Sequence, residues 1–264
     1  MSSAFLFLLY LSVMTVIQAL VLGLVEGITE FLPISSTGHL ILVSELMGLT
    51  PSAFGTTFKI VIQLGAILAV VWLYGRTLLK DSTMAKKVLV ALVPTGLIGF
   101  LLYPVIKEYF LDNSLLTLWA LGLGGLALIV FDRWHRVGDG EQISYSQALF
   151  IGFCQSLAIV PGVSRSAAAI VGAMALGRSR RAAVEFSFLS AIPVMVAASG
   201  FDLFKNFSAL AAGEGKLLLI GLAASFFTAL VAIKFLLSYV SRRDLTVFGV
   251  YRIALAALLL AVWG

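Results

Sequence analysis

Long stretches of this chain carry almost no polar side chain. Six apolar runs, at 56–74, 87–105, 115–131, 183–201, 217–237 and 245–263, are each about long enough to cross a ~30 Å hydrocarbon core as a helix. Two further segments break this pattern. Residues 18–31 are apolar, but as a helix they reach only ~21 Å at ~1.5 Å per residue. They stop at Leu32-Pro33, where proline disfavours helix in its predecessor. Residues 147–160 behave alike and lead through "PGVSRS" into another short apolar run ending near Leu176. Each reads as a re-entrant hairpin: a half-helix in, a polar turn at depth, a half-helix out. The pattern predicts an all-α polytopic membrane protein, a single membrane domain over 1–264, with six transmembrane helices and two re-entrant helical hairpins.

The two hairpins are copies of one unit. "QALVLGLVEGITEFLPISST" (18–37) aligns with "QALFIGFCQSLAIVPGVSR" (147–165); the Gln-Ala-Leu triplets lie 129 apart, and Gly23 pairs with Gly152. Aligning the prolines, Pro33 with Pro161, drops one residue and pairs Ser36 with Ser164 at an offset of 128, which Phe58 and Phe186 keep. Half one then runs over about 18–132 (hairpin 18–48, three spans) and half two over about 147–264 (hairpin 147–177, three spans). A hairpin returns to its own side and three crossings are odd, so the halves have inverted topology. Eleven basic residues fall on one side under this count (Arg76, Lys80, Lys86, Lys87, Arg133, Arg136, Arg178, Arg180, Arg181, Arg242, Arg243), and three on the other (Lys107, Lys205, Lys216). By the positive-inside rule the first side is cytoplasmic and both termini lie outside. Inverted repeats with broken helices place polar sites near the midplane. Residues 2–17 extend the first half-helix on the outside, or form a seventh span with the N-terminus inside.

Composition agrees with a membrane solvent. The chain is 61% hydrophobic and 12% charged, with a mean hydropathy of +1.07, against roughly 45–50% and about 25% in soluble domains. The 18 Lys+Arg against 13 Asp+Glu is the charge of membrane loops, not a nucleic-acid signal. The single cysteine, Cys154, excludes an intramolecular disulfide and a multi-cysteine zinc site. The N-terminus lacks the positive flank and small-residue cleavage pattern of a cleaved signal peptide and reads as retained.

Against this background "VEGITEFLPISSTGHL" (25–40) stands out. Glu26 and Glu30 are four apart, hence on one helix face, and carboxylates at membrane depth are costly. They read as a hard-cation site for Mg²⁺ or Ca²⁺, or else as a water-lined pair near the interface or a pair with one carboxyl protonated. Ser35, Ser36 and Thr37 sit in the turn with Gly38, and His39 opens the next half-helix. One hydroxyl would suffice for a helix cap; three plus an imidazole suggest anion binding at a helix N-terminus and an activated nucleophile. The second turn adds Ser164, Arg165 and Ser166; the planar Arg165 fork suits phosphate oxygens, though it also suits plain pairing with Glu26 or Glu30. Face to face, the two turns make a phosphate pocket. His135 reads as an interface anchor and Gln18, Gln63 and Gln147 as interhelical hydrogen-bond formers.

"EGITEFLPISSTGH" and "PGVSRS", with "IQLGAILAVV" (62–71) and "EFSFLSAIPVM" (185–195), closely resemble the bacterial undecaprenyl-diphosphate phosphatase family, the integral membrane enzymes linked to bacitracin resistance. The resemblance covers nearly the whole chain from Gln18. It implies hydrolysis of undecaprenyl diphosphate to the monophosphate carrier of peptidoglycan synthesis, dependence on Mg²⁺ or Ca²⁺, residence in the bacterial inner membrane and a site opening toward the periplasm. Carried over by motif position, Glu26 and Glu30 are the acidic motif, Ser35, Ser36, Thr37 and His39 the loop, and Ser164, Arg165 and Ser166 the second motif. Ser36 is the chosen nucleophile with Glu30 or His39 as base; attack by water or by His39 stays open. The partners implied are a prenyl diphosphate lipid and the bilayer; a homodimer is compatible. Ala167 stands where the family usually has glycine, and the N-terminal apolar segment is longer than common. A transporter or lipid flippase is the rival reading, but anion transport does not require a serine–histidine–carboxylate cluster. A membrane phosphatase with a Pro-Ser-Gly-His signature ranks lower, because His135 lies in a loop on the basic side.

Overall fold

The computed structural model describes residues 14–105, 114–206 and 214–263; most of the expected N-terminal segment at 2–17 lies outside them. They form ten α-helices: α1 (Val16–Thr29), α2 (Ser36–Leu46), α3 (Ala53–Lys80), α4 (Ser82–Val105), α5 (Ser114–Trp134), α6 (Tyr145–Ser156), α7 (Arg165–Ala175), α8 (Arg180–Asn206), α9 (Glu214–Val240) and α10 (Thr246–Trp263). A 3-10 turn, Leu157–Ile159, follows α6. Among the described residues the only β pairing is an isolated bridge between Gly140 and Arg178. Five helices, α3, α4, α5, α8 and α9, are long and apolar enough to cross a membrane, with mean hydropathy from 1.7 to 2.2. α10 is shorter, at 18 residues. Large apolar side chains such as Trp72, Phe100 and Phe204 face outward, which only a lipid solvent tolerates at this density. The described residues are all-helical, and the chain is a multi-pass membrane protein.

The two broken helices are built from the same local devices. α1 starts at Thr15 and α6 at Ser144, each closing a capping box with the glutamine three residues on, Gln18 and Gln147. After each turn the next helix starts at a serine of positive φ, Ser35 at 69° and Ser164 at 75°. α2 and α7 then end at Gly48 and Gly177, both of positive φ. In each, paired hydrogen bonds run back over the last turn: Leu49 N to Ser44 O and Gly48 N to Glu45 O, matched by Arg178 N to Ala173 O and Gly177 N to Met174 O. All four landmark pairs lie 129 apart. The backbone therefore matches Ser35, not Ser36, with Ser164. Aligning the two prolines inserts a one-residue slip that the turns do not contain.

Packing crosses between the halves. α1 lies along α9 and α6 along α4; α3 packs on α8 and on α9; α5 packs on α10. The close approaches use small residues. A Cβ on Gly23 would meet Gly221 and Ala224, one on Gly27 would meet Thr228 and Ser225, and one on Gly152 would meet Ala91 and Pro94. The largest buried cluster joins Phe31 of the first turn to Phe186 and Phe188 of α8 and to Ile151, Ile170 and Ile233. Phe31 and Phe188 meet edge to face at 5.2 Å between centroids. This core holds the turns Glu30–Ser35 and Val160–Ser164 against each other.

Candidate active site

Between the two turns lies a cavity of about 280 Å³ whose wall includes Glu30, Ser35, Ser36, Thr37, Ser164 and Arg165. Each turn contributes because its helix stops early. α1 gives out at Thr29 with Leu32-Pro33 ahead. In the second turn Gly162 takes a φ of 95° where a side chain would also strike the Thr117 carbonyl, so only glycine fits there.

Three side chains form a connected line. The Ser36 hydroxyl donates to Glu30 Oε2 at 2.6 Å, and Arg165 Nη2 donates to Glu30 Oε1 at 3.0 Å. Both carboxylate oxygens are thus engaged, one by a hydroxyl and one by a guanidinium, in a pair whose side chains are only 8% and 11% exposed. Such charge-assisted bonds are short and orienting. Arg165 Nη1 is fixed by the Ser187 carbonyl at 3.1 Å, and its guanidinium lies 5.9 Å from the Phe31 ring centroid. Its Nε is buried without a partner.

The two sister helices differ at their N-termini. Ser164 Oγ caps α7 by accepting from Ala167 N at 3.2 Å. It also pairs with Ser166 Oγ at 3.1 Å, and Ser166 donates to the Leu32 carbonyl at 2.9 Å. Ser166 thus ties the second turn to the first from behind the cavity wall. Ser35 makes no side-chain cap to α2. The first-turn N–H groups of α2, beside Ser36 and Thr37 in the cavity wall, are left for an anion.

Glu26 and His39 lie outside the lining. Glu26 is fully buried, one turn before Glu30, and both its oxygens lack a hydrogen-bond partner. His39 is held at both ring nitrogens, by the Ser35 carbonyl at 2.8 Å and by the Tyr251 hydroxyl at 2.7 Å. The His39 and Tyr251 rings stack, 5.5 Å apart and 8° from parallel. The imidazole therefore grips the backbone of the serine before Ser36, and Ser36 itself turns to Glu30. His135 bonds the Met174 carbonyl at 2.9 Å and stacks on Phe131, far from this chemistry. No group of three His, Cys, Asp or Glu side chains able to hold a metal exists among the described residues. A cation here would rest on two carboxylates and need further oxygens from its ligand. The orphaned oxygens of Glu26 beside Glu30 suit that role.

Sequence reasoning passed over Arg252 and Tyr251 on α10. Arg252 is completely buried. It donates to the carbonyls of Leu121 (3.1 Å) and Ala120 (3.4 Å) on α5, of Pro33 (3.4 Å) in the first turn, and of Gly162 (2.8 Å) in the second. A Cβ on Gly124 would collide with the guanidinium, so that glycine makes its room. The signal was available in the sequence: an arginine in the middle of an apolar span is expensive and needs a partner or a function.

A model of the family described as bacitracin resistance protein BacA matches residues 19–258. An undecaprenyl-diphosphatase of Aquifex aeolicus is 47% identical over 244 residues, covering 91% of this chain and 95% of that protein. One from a Sulfurihydrogenibium species is 45% identical over 93% of this chain and 98% of its own. One from Thermus thermophilus is 46% identical over 91% and 94%.

Proposed function

The chain belongs to the family of bacitracin resistance protein BacA, and we propose that it removes the terminal phosphate of undecaprenyl diphosphate with Ser36 as nucleophile and Glu30 as its base. It is a membrane hydrolase, an undecaprenyl-diphosphatase that returns the lipid carrier to its monophosphate form. The observation that carries the chemistry is the single line from the Ser36 hydroxyl through Glu30 to Arg165 in the cavity wall.

In this mechanism Ser36 Oγ attacks the terminal phosphorus and its proton passes to Glu30 Oε2, the atom it already contacts at 2.6 Å. The bond from that phosphorus to the bridging oxygen breaks, and undecaprenyl phosphate leaves. As Glu30 accepts the proton it ceases to neutralise Arg165. The guanidinium charge then faces the phosphoryl oxygens at the moment charge builds there, where most catalysis of phosphoryl transfer arises. The uncapped N–H groups at the start of α2, with Ser35 and Thr37, cradle the same oxygens. Water then attacks the phosphoserine, Glu30 returns the proton to Ser36 Oγ, and phosphate departs. His39 and Tyr251 hold the Ser35 backbone in its positive-φ conformation throughout. Glu26 and Glu30 would hold Mg²⁺ or Ca²⁺, whose chemistry would be charge neutralisation on the diphosphate.

The architecture we infer is six crossings (α3, α4, α5, α8, α9, α10) with α1–α2 and α6–α7 as re-entrant hairpins in halves of opposite topology. The site would open to the periplasmic face of the inner membrane. The cross-pairing of α1 with α9 and α6 with α4 supports a two-fold relation between the halves.

Phosphate release from undecaprenyl diphosphate by the purified chain in detergent tests the reading, with Mg²⁺ or Ca²⁺ and with EDTA. Ser36→Ala is expected to lower the rate by ~10³-fold or more, the scale of removing a nucleophile, and EDTA to suppress it. Wild-type rates in folded Ser36→Ala would remove Ser36 from the role, and no release by folded wild type would remove the activity.

A further inference from the structure

The cavity extends past the groups that meet phosphate. Along α8, Ser187 O holds Arg165, and one turn on Ser190 Oγ donates to Gln155 Oε1 at 3.0 Å. Gln155 Nε2 in turn donates to Thr95 Oγ1 on α4 at 3.2 Å. Thr95, Gln155 and Gln63 line the cavity as a belt of uncharged polar groups. One further turn along each helix the lining is apolar, with Gly99 on α4 and Val194 and Ala198 on α8. Ala198 is exposed, as are Val196 and Phe201 on the same helix. The cavity thus grades from charged to neutral polar to apolar and reaches the outside between α4 and α8.

Gly99 is the unexplained element of that wall. Glycine inside a helix costs roughly 0.5–1 kcal/mol relative to alanine. Gly23, Gly27, Gly65 and Gly152 have an evident reason, since a Cβ on each would strike a neighbouring backbone. A Cβ on Gly99 would meet nothing within 4 Å. Packing of the protein does not require its missing side chain; the space beside it belongs to the cavity.

We propose that Gly99 is a specificity-determining position that keeps open a lateral portal between α4 and α8, through which the isoprenoid chain of the diphosphate passes from the site into the lipid. This rests on the prenyl-diphosphate reading above. The charge gradient of the wall fits one amphipathic ligand lying along it: the scissile phosphoryl at Ser36 and Arg165, the retained phosphate by the neutral belt, the chain at Gly99 and Ala198. A belt of amides and hydroxyls, rather than cations, also lets the monophosphate product leave.

The test compares wild type with Gly99→Ala, Gly99→Phe and the control Gly200→Phe. Gly200 is an exposed α8 glycine whose Cβ would likewise meet nothing within 4 Å and which is not in the cavity wall. Two readouts are taken: hydrolysis of farnesyl and undecaprenyl diphosphates, and photo-crosslinking of a benzophenone-bearing prenyl monophosphate. Gly99→Phe should raise KM ~10-fold or more with kcat within ~3-fold, the signature of lost uniform binding, and should lose the crosslink. Gly200→Phe should match wild type in both, and Gly99→Ala should fall between wild type and Gly99→Phe. Gly99→Phe indistinguishable from wild type overturns the portal, as does Gly99→Ala impaired as severely as Gly99→Phe, which would make the glycine a backbone requirement. Wild type that crosslinks in a Gly99→Phe-sensitive way without hydrolysing either substrate would spare the portal and overturn the phosphatase reading. Wild type that neither crosslinks nor hydrolyses would overturn both.

Discussion

A single guanidinium holds the two turns of the site together. Arg252 reaches carbonyls from α5 and from both turns at once, a span that needs a planar fork of five donors. Lysine keeps the charge but concentrates its three donors on one nitrogen. Arg252→Lys is therefore expected to lower kcat by ~10–100-fold with little change in KM, because the turns lose their spacing while the phosphate-binding groups survive; steady-state kinetics in detergent decides it. Wild-type kcat in Arg252→Lys would show that charge alone suffices. The Glu30–Arg165 pair calls for a different measurement. Both side chains are nearly buried, so removing one partner strands the other at a penalty of ~3–5 kcal/mol. Glu30→Gln should melt well below wild type, and Glu30→Gln/Arg165→Gln should melt above Glu30→Gln; a double mutant less stable than both singles would refute the pairing argument. Glu30, Ser36 and Arg165 were legible in the sequence because polar residues at membrane depth are conspicuous. Arg252 was not, because one arginine inside "VYRIALAALLL" leaves the span apolar on average. Its partners are carbonyls, which a sequence does not distinguish.

The broken helices were legible as elements for a simple reason: each is too short to cross and each ends at a proline-containing turn. Their register was less so. Proline is the most visible residue of either turn, yet the backbone is organised by what starts each following helix, the positive-φ serines 129 apart. Ser36, the proposed nucleophile, thus has Arg165 as its counterpart, and Glu26 has Gln155. In the second half that amide is satisfied by Thr95 and Ser190, whereas the carboxylate of Glu26 is left unpartnered. One scaffold carries an acidic, hydroxyl-rich arm and a basic one. What fixes the first arm in place is the seam between α1 and α9. Gly27 lies against Thr228 and Ser225, where even a methyl group has no room. Gly27→Ala is expected to lower the melting temperature in detergent by ~5 °C or more, about the effect of ~2 kcal/mol in a chain of this size. Gly99→Ala, in open space, should be neutral or slightly stabilising. Equal melting temperatures for the two would mean that the seam is not close-packed.

At the scale of the whole molecule the pairing of elements carries the argument for opposed halves. Each first half-helix lies on the second span of the other half, α1 on α9 and α6 on α4, while equivalent spans meet each other, α3 with α8 and α5 with α10. A two-fold axis between the halves produces that exchange. With the three crossings per half proposed above, that axis would lie in the membrane plane, with the hairpins on opposite faces and both turns near the midplane. The sequence argues for this arrangement through counting and charge, since the loops near Lys80, Asp139 and Arg243 are rich in Lys and Arg. It did not carry which carbonyls and hydroxyls face each other there, because contacts between residues more than a hundred positions apart leave no periodic trace. Orientation is open to direct measurement. In a Cys154→Ala background, single cysteines at the exposed positions Thr50, Lys216, Asp139 and Arg243 report their side of the membrane. An impermeant maleimide on intact cells should label Thr50→Cys and Lys216→Cys, and should reach Asp139→Cys and Arg243→Cys only after permeabilisation. The reverse pattern would turn the molecule over and place the Ser36 side of the site toward the cytoplasm. Labelling of Thr50→Cys and Lys216→Cys from opposite faces would break the inverted count itself: α3, α4, α5, α8 and the second hairpin separate the two positions, so that hairpin would then cross the membrane instead of returning.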